Sequence, residues 1–198
     1  MVSKAIHKAT GETVAIKKIP INFKHEYQTK KVLREIMILR QLSQMKKNVF
    51  TVLLYDIYIS EEAIETISKL KEVFLVMEYV KYDLRGLLSN ETRGYGANHT
   101  TVIIYNLLCA MKFLHSANVI HRDLKPANIL INDECVVKLC DFGLSCTESL
   151  DEHKDKGRSM SPLVQTRWYR SPEVILLDKH YNTKIDMWSM GCMLNELI

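Results

Sequence analysis

The segment Val119–Ser145, VIHRDLKPANILINDECVVKLCDFGLS, constrains the fold of this chain more than any other stretch. It carries two short polar clusters, at 121–128 and at 141–143, between apolar runs. The apolar runs at 129–131 and 136–139 are typical of two short strands, and the Asn132-Asp133 pair between them favours a turn. The predicted hairpin brings both polar clusters to one end. We therefore expect the carboxylates of Asp123 and Asp141 and the amide of Asn128 to lie close together.

This set of side chains, to which Lys125 adds a cation, suits phosphoryl transfer. The reaction uses oxygen ligands for a divalent metal, a carboxylate that orients and deprotonates the attacking hydroxyl, and cations for the developing charge. The segment matches H-R-D-L-x-x-x-N followed by D-F-G, so it resembles the catalytic core of protein kinases. The resemblance implies that Asp123 is the catalytic base and that Lys125 contacts the transferred phosphate. It also implies that Asn128 and Asp141 bind Mg²⁺.

Two charged residues upstream extend the resemblance. The predicted strand at 13–19 contains Val14-Ala15-Ile16-Lys17, which matches the V-A-I-K pattern of a kinase's third strand. A predicted helix at 26–44 contains Glu35, which matches the glutamate that pairs with this lysine. The resemblance implies that Lys17 contacts the α and β phosphates of ATP and that Glu35 holds it there. Taken alone, each residue would be interpreted as an ordinary surface charge, and it is their order with Asp123 and Asp141 that favours the ion pair.

The resemblance also implies an adenine pocket. The predicted strand at 72–79 runs into Met77-Glu78-Tyr79-Val80, which aligns with the kinase hinge. There the backbone of Glu78 and Val80 would bind the adenine edge, and Met77 would form the back wall. The other residues expected to contact the nucleotide are Val2, Ala15, Leu130 and Cys140. As a local pattern, the same stretch equally fits the end of a core strand.

The polar segment at 144–165 shows no periodicity and is predicted to be a functional loop. In kinases the corresponding activation loop is ordered by phosphorylation, and Arg122 is available to pair with the phosphate. Ser161 is the candidate acceptor for an upstream activating kinase. Cys146 occupies a position where the family usually has arginine. One cationic partner for an activating phosphate is therefore absent. Control by phosphorylation could therefore differ, or the loop could hold its active shape without it.

The octet TRWYRSPE at 166–173 closes this loop and resembles the T-R-W-Y-R-A-P-E segment of mitogen-activated protein kinases and the related cyclin-dependent group. The resemblance implies protein substrates phosphorylated on Ser or Thr before a proline, with Arg170 shaping the pocket behind the acceptor. Mitogen-activated protein kinases carry Thr-x-Tyr just before the position of Val164. This chain has Ser161-Pro162-Leu163 there, so the tyrosine of a dual phosphorylation site is missing.

The predicted architecture is an α+β, bilobal protein-kinase-like fold, with a small β-sheet lobe at 1–80 and a mainly α-helical lobe at 81–198. Val2 aligns just after the glycine-rich loop, and Asp186–Gly191 aligns with the start of the central helix. We therefore expect a partial kinase domain, incomplete at both ends. Two hypotheses stay open: an ATP- and Mg²⁺-dependent Ser/Thr kinase, or a truncated, non-catalytic module that binds kinase partners.

Composition argues against several other classes. The net charge is +4, and no basic block with interleaved aromatic residues predicts nucleic acid as a partner. No run approaches the roughly 18 apolar residues of a membrane span, so no membrane partner is expected. The five cysteines form no CxxC pair and favour neither a disulfide framework nor a zinc site. A reducing intracellular compartment, cytoplasm or nucleus, fits best.

Periodicity predicts the remaining elements. A strand is expected at 49–60, a polar connection at 61–71, a short helix at 83–89, and a longer helix at 100–116 capped by Thr100 or Thr101. His115 in this helix is interpreted as structural. The predicted apolar face of the helix at 26–44 consists of Val32, Leu33, Ile36, Met37 and Leu39. That of the helix at 100–116 consists of Val102, Ile103, Leu107, Leu108, Met111 and Leu114.

Overall fold

The structure is a computed structural model that describes residues 1–89, 97–147, 164–178 and 180–198. It contains two compact units, Met1–Val80 and Lys81–Ile198. The first is built on a β-sheet, and helices dominate the second, which is the predicted α+β architecture. The candidate phosphorylation site Ser161 lies outside the described residues.

The first unit is organised on a four-stranded antiparallel sheet. Its strands are β1 (Val2–Ile6), β2 (Thr13–Pro20), β3 (Leu54–Ile59) and β4 (Glu72–Glu78), in the spatial order β1-β2-β4-β3. In β4 the residues alternate between buried and half-buried positions, as expected for a central strand with one face on the core. Strand β1 was not predicted from the sequence, because its mostly exposed residues show no apolar alternation.

The β1–β2 connection is a tight turn in which Gly11 adopts φ +74°, a conformation that costs glycine little. The backbone N–H groups of His7 and Gly11 donate across this turn to Glu12 and His7 respectively, each over 2.8 Å. The resulting register places Val2 directly opposite Lys17 and places Ala15 opposite Met77 on the other side of β2.

Helix α1 (Glu26–Gln44) has the predicted bounds but a different buried face. Leu33 and Met37 were expected in the core and are 56% and 61% exposed. The residues that are buried follow helical spacing on a neighbouring stripe: Val32, Glu35, Ile38, Leu39 and Leu42. The prediction was wrong because it excluded charged residues from the face, whereas the buried stripe includes Glu35.

The strand predicted at 49–60 is shorter than expected and begins at Leu54. The residues before it are held by the buried Asn48, whose Nδ2 donates to Leu42 O and to Thr51 Oγ1. Its Oδ1 accepts from the N–H groups of Phe50 and Thr51. The polar connection that follows contains a short helix, α2 (Glu61–Glu65), and a 3₁₀ turn at Ile67–Lys69.

The second unit combines helices with short strand pairs. It contains β5 (Tyr82–Asp83), α3 (Leu84–Leu88), α4 (Ala97–Ser116), β6 (Val119–Ile120), β7 (Ile129–Ile131), β8 (Val137–Leu139), β9 (Cys146–Thr147), α5 (Pro172–Ile175) and α6 (Lys184–Leu197). Strands β5, β7 and β8 form one antiparallel sheet, and β6 pairs with β9. The β7–β8 pairing confirms the hairpin predicted from the sequence.

Helix α4 begins at Ala97, so Thr100 and Thr101 lie inside it and the predicted cap is wrong. Thr100 Oγ1 instead donates to Leu197 O, at the end of α6. Its core face includes Ile103, Leu107, Ala110, Met111 and Leu114, whereas Val102 and Leu108, also expected there, are 44% and 41% exposed. The preceding short helix α3 is capped by Asp83, whose Oδ1 accepts from Gly86 N over 2.7 Å.

Within the described ranges, no helix is both long and apolar enough to cross a membrane. All five cysteines lie in the described part of the chain, and none forms a disulfide. Cys146 is half-buried and packs against an apolar cluster in the second unit that consists of Ile120, Val164, Val174, Tyr181 and Ile185.

Ser171 precedes α5 at the N-cap position, where a serine side chain usually accepts a hydrogen bond from the helix backbone. Here the hydroxyl makes no such bond. The residue is fully buried, and within the described ranges its Oγ is a buried oxygen without a hydrogen-bond partner. An unpaired buried hydroxyl costs free energy, so this cap position weakens the fold.

We expect Ser171→Ala to stabilise the protein by about 1 kcal/mol, because it removes an unpaired buried hydroxyl and breaks no cap bond. Thermal unfolding should show a rise in Tm of roughly 2–4 °C for a chain of this size. Ser60→Ala is the matched control, since Ser60 is an exposed N-cap without a side-chain cap bond and should change Tm little. A loss of stability in Ser171→Ala would mean that the hydroxyl does cap α5.

Candidate active site

The hairpin β7–β8 positions the two predicted metal ligands. Ile129 pairs with Leu139, and the ladder continues past the strands, where Cys140 N donates to Asn128 O over 3.1 Å. Cys140 Sγ also donates to this carbonyl, at 3.4 Å. Asp141 follows Cys140 at once, is exposed, and has φ +64°, a left-handed conformation that is uncommon for residues other than glycine. The hairpin therefore brings Asn128 and Asp141 to the same end.

The carboxylate of Asp123 is nearly buried, at 7% exposure, and accepts four hydrogen bonds. Oδ2 accepts from Lys125 Nζ at 2.8 Å and from Asn128 Nδ2 at 3.3 Å. Oδ1 accepts from the N–H and the hydroxyl of Thr166, at 3.0 and 2.8 Å. Lys125 Nζ also donates to Thr166 Oγ1 at 3.1 Å. Donors from three residues therefore fix the orientation of this one carboxylate.

The backbone before Asp123 is held by the buried carboxylate of Asp186 in α6. The N–H groups of His121 and Arg122 donate to its Oδ2 and Oδ1, both over 2.9 Å. Arg122 adopts φ +65°, which allows two successive N–H groups to reach one carboxylate. His115 Nε2 donates to Asp186 Oδ2 at 2.9 Å, so this ring helps to hold the same carboxylate.

His121 contacts both the segment that contains Asp123 and the segment that contains Asp141. Its Nε2 donates to the carbonyl of Cys140 at 3.0 Å, while Nδ1 accepts from Asp123 N at 3.3 Å. This pattern requires the hydrogen on Nε2, because a carbonyl can only accept. Its ring also packs against Phe142, with centroids 5.2 Å apart. The histidine thus connects the segment around Asp123 to the segment that contains Asp141.

In the first unit, Lys17 and Glu35 form an ion pair, with Lys17 Nζ 2.5 Å from Glu35 Oε1. The Glu35 side chain is 6% exposed and that of Lys17 is 20% exposed. Strand β2 and helix α1 supply one residue each, so the contact links the sheet to the helix. The pair predicted from the family motif is therefore present within this unit.

The other residues predicted to contact a nucleotide belong to both units. In the first unit, Ala15 and Met77 are paired across β2 and β4, and Val2 is 59% exposed. Glu78 ends β4 and its N–H donates to Leu53 O, while Val80 follows without regular structure. In the second unit, Leu130 lies in β7 and Cys140 just after β8.

The side-chain oxygens of Asn128 and Asp141 suit a hard divalent metal ion such as Mg²⁺. Asn128 Nδ2 donates to the carbonyl and the carboxylate of Asp123, so the amide oxygen is the atom of Asn128 that can ligate a cation. Asp141 adds an exposed carboxylate. Among the described residues, no cluster of three or more His, Cys, Asp and Glu side chains forms a complete metal cage. A metal held here would complete its shell with ligand and water oxygens, as Mg²⁺ does on nucleotide phosphates.

A groove of about 470 Å³ adjoins Asp123 within the second unit. Lys125, Thr166 and the exposed Trp168 line it, together with Tyr169 and Glu196. Burial, followed by a hydrogen bond to the Glu196 carboxylate, raises the pKa of Tyr169 far above its usual range. The Tyr169 hydroxyl therefore keeps its proton to a higher pH than an ordinary tyrosine, and the groove combines an indole surface with charged groups of both signs.

Comparison with known families agrees with this arrangement. A model described as the protein kinase domain matches residues 1–198, the whole chain. The chain belongs to the protein kinase domain family. Proteins of this family use ATP and a divalent metal in general, and they act on protein substrates.

Curated relatives within the family are mitogen-activated protein kinases. PMK11 of Pyricularia oryzae is 40% identical over 198 residues, which are 100% of this chain and 52% of that protein. Mitogen-activated protein kinase 3 of Oryza sativa subsp. japonica is 39% identical over 198 residues, 100% of this chain and 50% of the relative. KSS1 of Saccharomyces cerevisiae is 39% identical over 202 residues, which cover 100% of this chain and 53% of that protein. The chain thus spans about half the length of the curated relatives it matches.

Two residues that support Asp123 and the backbone before it were not predicted as site residues from the sequence. Thr166 was treated only as the first residue of TRWYRSPE, although it supplies two of the four donors to Asp123. Asp186 was treated only as the beginning of a helix, although it holds the backbone of His121 and Arg122. The available signal was their presence within family motifs, since no local pattern reports contacts 43 and 65 residues apart.

We expect Thr166→Val to destabilise the protein by about 1.5–3 kcal/mol, because it removes hydrogen bonds to two charged groups. Urea unfolding, with the midpoint and slope compared to wild type, measures this loss. Thr166→Ser keeps the hydroxyl and should stay within about 1 kcal/mol of wild type. Equal stability of the Val and Ser variants would show that the hydroxyl does not support Asp123.

Proposed function

We propose that the protein is an ATP-dependent protein serine/threonine kinase of the mitogen-activated type. The observation that carries this proposal is the carboxylate of Asp123, oriented by Lys125, Asn128 and Thr166 beside the hairpin end that bears Asp141. Asp123 would orient the acceptor hydroxyl and take its proton as the oxygen attacks the γ-phosphorus and ADP leaves. Lys125 would stabilise charge on the transferred phosphoryl group.

For the nucleotide, we propose a role for each predicted residue. Lys17, held by Glu35, would bind the α and β phosphates. The backbone of Glu78 and Val80 would bind the adenine edge, and the apolar contacts would come from Val2, Ala15, Met77, Leu130 and Cys140. Asn128 and Asp141 would hold Mg²⁺, which when bound neutralises charge on the phosphate oxygens.

We propose that the acceptor Ser or Thr is followed by proline. Arg170 supports this, because its Nε and Nη2 donate to the carbonyls of Val164 and Gln165 at 3.0 and 2.9 Å. Carbonyls that are already hydrogen-bonded offer little to the N–H of a residue placed against them. Proline has no N–H and loses nothing there. An intracellular setting, cytoplasm or nucleus, belongs to the same proposal, and so does an upstream kinase that acts on the polar loop, with Ser161 as the candidate acceptor.

Phosphotransfer tests the catalytic assignment. We expect Asp123→Asn to lower kcat by about 10²–10⁴, the usual contribution of a general base. Two peptides that differ only in the residue after the acceptor serve as substrates, one Ser-Pro and one Ser-Ala, and the first should have a kcat/KM about tenfold higher or more. Asp133→Asn is the matched control, since Asp133 lies exposed in the β7–β8 turn. Wild-type activity in Asp123→Asn would refute the assigned base.

Binding of Mg·ATP tests the metal assignment separately. A ligand that binds only the folded state, at a free concentration of about 100 times its Kd, raises the free energy of unfolding by roughly 2.7 kcal/mol. This corresponds to a rise in Tm of about 5–10 °C. We expect Asp141→Asn to lose the part of this rise that depends on Mg²⁺ and Asp133→Asn to retain it. A cooperative melt that ignores Mg·ATP would contradict the proposal and favour the non-catalytic binding module.

A further inference from the structure

Arg122 was predicted as a partner for a phosphate on the polar loop, but in the structure its guanidinium is already engaged. Nε donates to Leu144 O at 2.6 Å, Nη1 to Tyr181 Oη at 3.0 Å, and Nη2 to Ser145 O at 3.5 Å. The residue is 4% exposed. Three of the five N–H groups of the guanidinium are thus engaged within its own unit, which leaves one N–H on each of Nη1 and Nη2.

The same residue anchors the described segments on both sides of residues 148–163. On the N-terminal side, its side chain holds the carbonyls of Leu144 and Ser145, and Ser145 Oγ donates to His121 O. On the C-terminal side, its own carbonyl accepts from Gln165 N at 2.9 Å. Both segments are therefore tied to Arg122 by contacts that involve no phosphate.

Tyr181 is the side chain that completes this arrangement. It is 5% exposed and belongs to the apolar cluster with Ile120, Val164, Val174 and Ile185. Its ring packs in the cluster while its hydroxyl contacts Arg122, so the core fixes the direction from which the hydroxyl approaches the guanidinium. Leu144 and Ser145 contribute only carbonyls, which leaves Tyr181 as the side chain whose contact with Arg122 can be removed by one substitution.

Cys146 supports the same interpretation. By resemblance, this position usually carries the arginine that provides a second cation for the activating phosphate. Here Cys146 packs against the Tyr181 cluster and pairs with Ile120 of β6, while Thr147 pairs with Val119. The position that would hold a charge near the phosphate is instead part of an apolar contact, which favours an uncharged anchor.

We propose that Tyr181 is a positioning residue that holds Arg122, and through it residues 144–147 and 164–166, without phosphorylation of the loop. Thr166 in the second segment contacts Asp123, so this anchor also maintains the orientation of the catalytic carboxylate. The effect of this anchor on catalysis rests on the proposed kinase function. The anchoring of residues 144–147 and 164–166 does not.

Hydrogen exchange of the full chain, followed by mass spectrometry, tests the anchor without any assay of activity. In Tyr181→Phe, peptides that cover 144–147 and the Gln165 amide should exchange about tenfold faster, while the β7–β8 hairpin stays unchanged. Tyr105→Phe, at a tyrosine in α4 that is 65% exposed, is the matched control. Unchanged exchange in both segments of a folded Tyr181→Phe variant would overturn the proposal.

A comparison of wild-type samples tests whether the anchoring of residues 144–147 and 164–166 is independent of phosphorylation. Wild-type protein is measured before and after phosphatase treatment, with the phosphorylation state of 148–163 determined by mass spectrometry, beside protein expressed in bacteria. We expect identical exchange of 144–147 and 164–166 in all three samples. Faster exchange in the samples without phosphate would overturn the proposal, because the anchor would then require a phosphate.

An activity measurement separates this proposal from the assignment of the catalytic base. Dephosphorylated Tyr181→Phe should lose about tenfold in kcat with little change in the KM for ATP, since the substitution affects the orientation of Asp123 and not the nucleotide residues. If wild type shows no phosphotransfer while Tyr181→Phe shows the exchange change, the anchor stands and the proposed function fails. A fall in kcat without faster exchange would refute the anchor alone.

Discussion

The segment of the second unit that leads to Asp123 depends on one buried carboxylate, that of Asp186. It is fully buried, and it accepts from the backbone of His121 and Arg122 and from the ring of His115. A buried carboxylate is costly unless donors surround it, and here all three donors lie at 2.9 Å. Hydrogen bonds are directional, so the carboxylate fixes the path of the chain more narrowly than apolar packing would. Helices α4 and α6 and the segment before Asp123 thereby share one fixed point.

The conformation of Arg122 transmits that constraint to the site. Because its φ is +65°, its N–H faces Asp186 while its carbonyl faces Gln165 and its side chain faces Leu144. A residue with an ordinary φ would not serve all three directions, and the cost of the left-handed conformation is offset by the hydrogen bonds that it permits. Asp123 comes next in the chain, so its position follows from the same turn. The residue with the left-handed conformation and the proposed base are adjacent for this reason.

The features predicted correctly are those with a local cause. The β7–β8 hairpin follows from two apolar runs around Asn132, and the bounds of α1 follow from 19 residues of helical spacing. The errors have physical causes too. Leu33 and Met37 were placed in the core because the pattern counted apolar residues alone, whereas the ion pair with Lys17 draws Glu35 inward. Thr166 and Asp186 act over 43 and 65 residues, and such contacts depend on the whole fold. Only a family motif could have indicated them.

Asp123 illustrates why a long-range donor matters more than a local one. Lys125 and Asn128 belong to the same segment as Asp123, so they would accompany the carboxylate wherever that segment moved. Thr166 belongs to the segment after the polar loop and supplies both donors to Oδ1. Displacement of residues 164–166 would therefore remove half of the hydrogen bonds at once. A preorganised carboxylate spends no free energy on reorientation during the reaction. The position of the segment after the loop and the orientation of the Asp123 carboxylate are thus coupled through a single residue, Thr166.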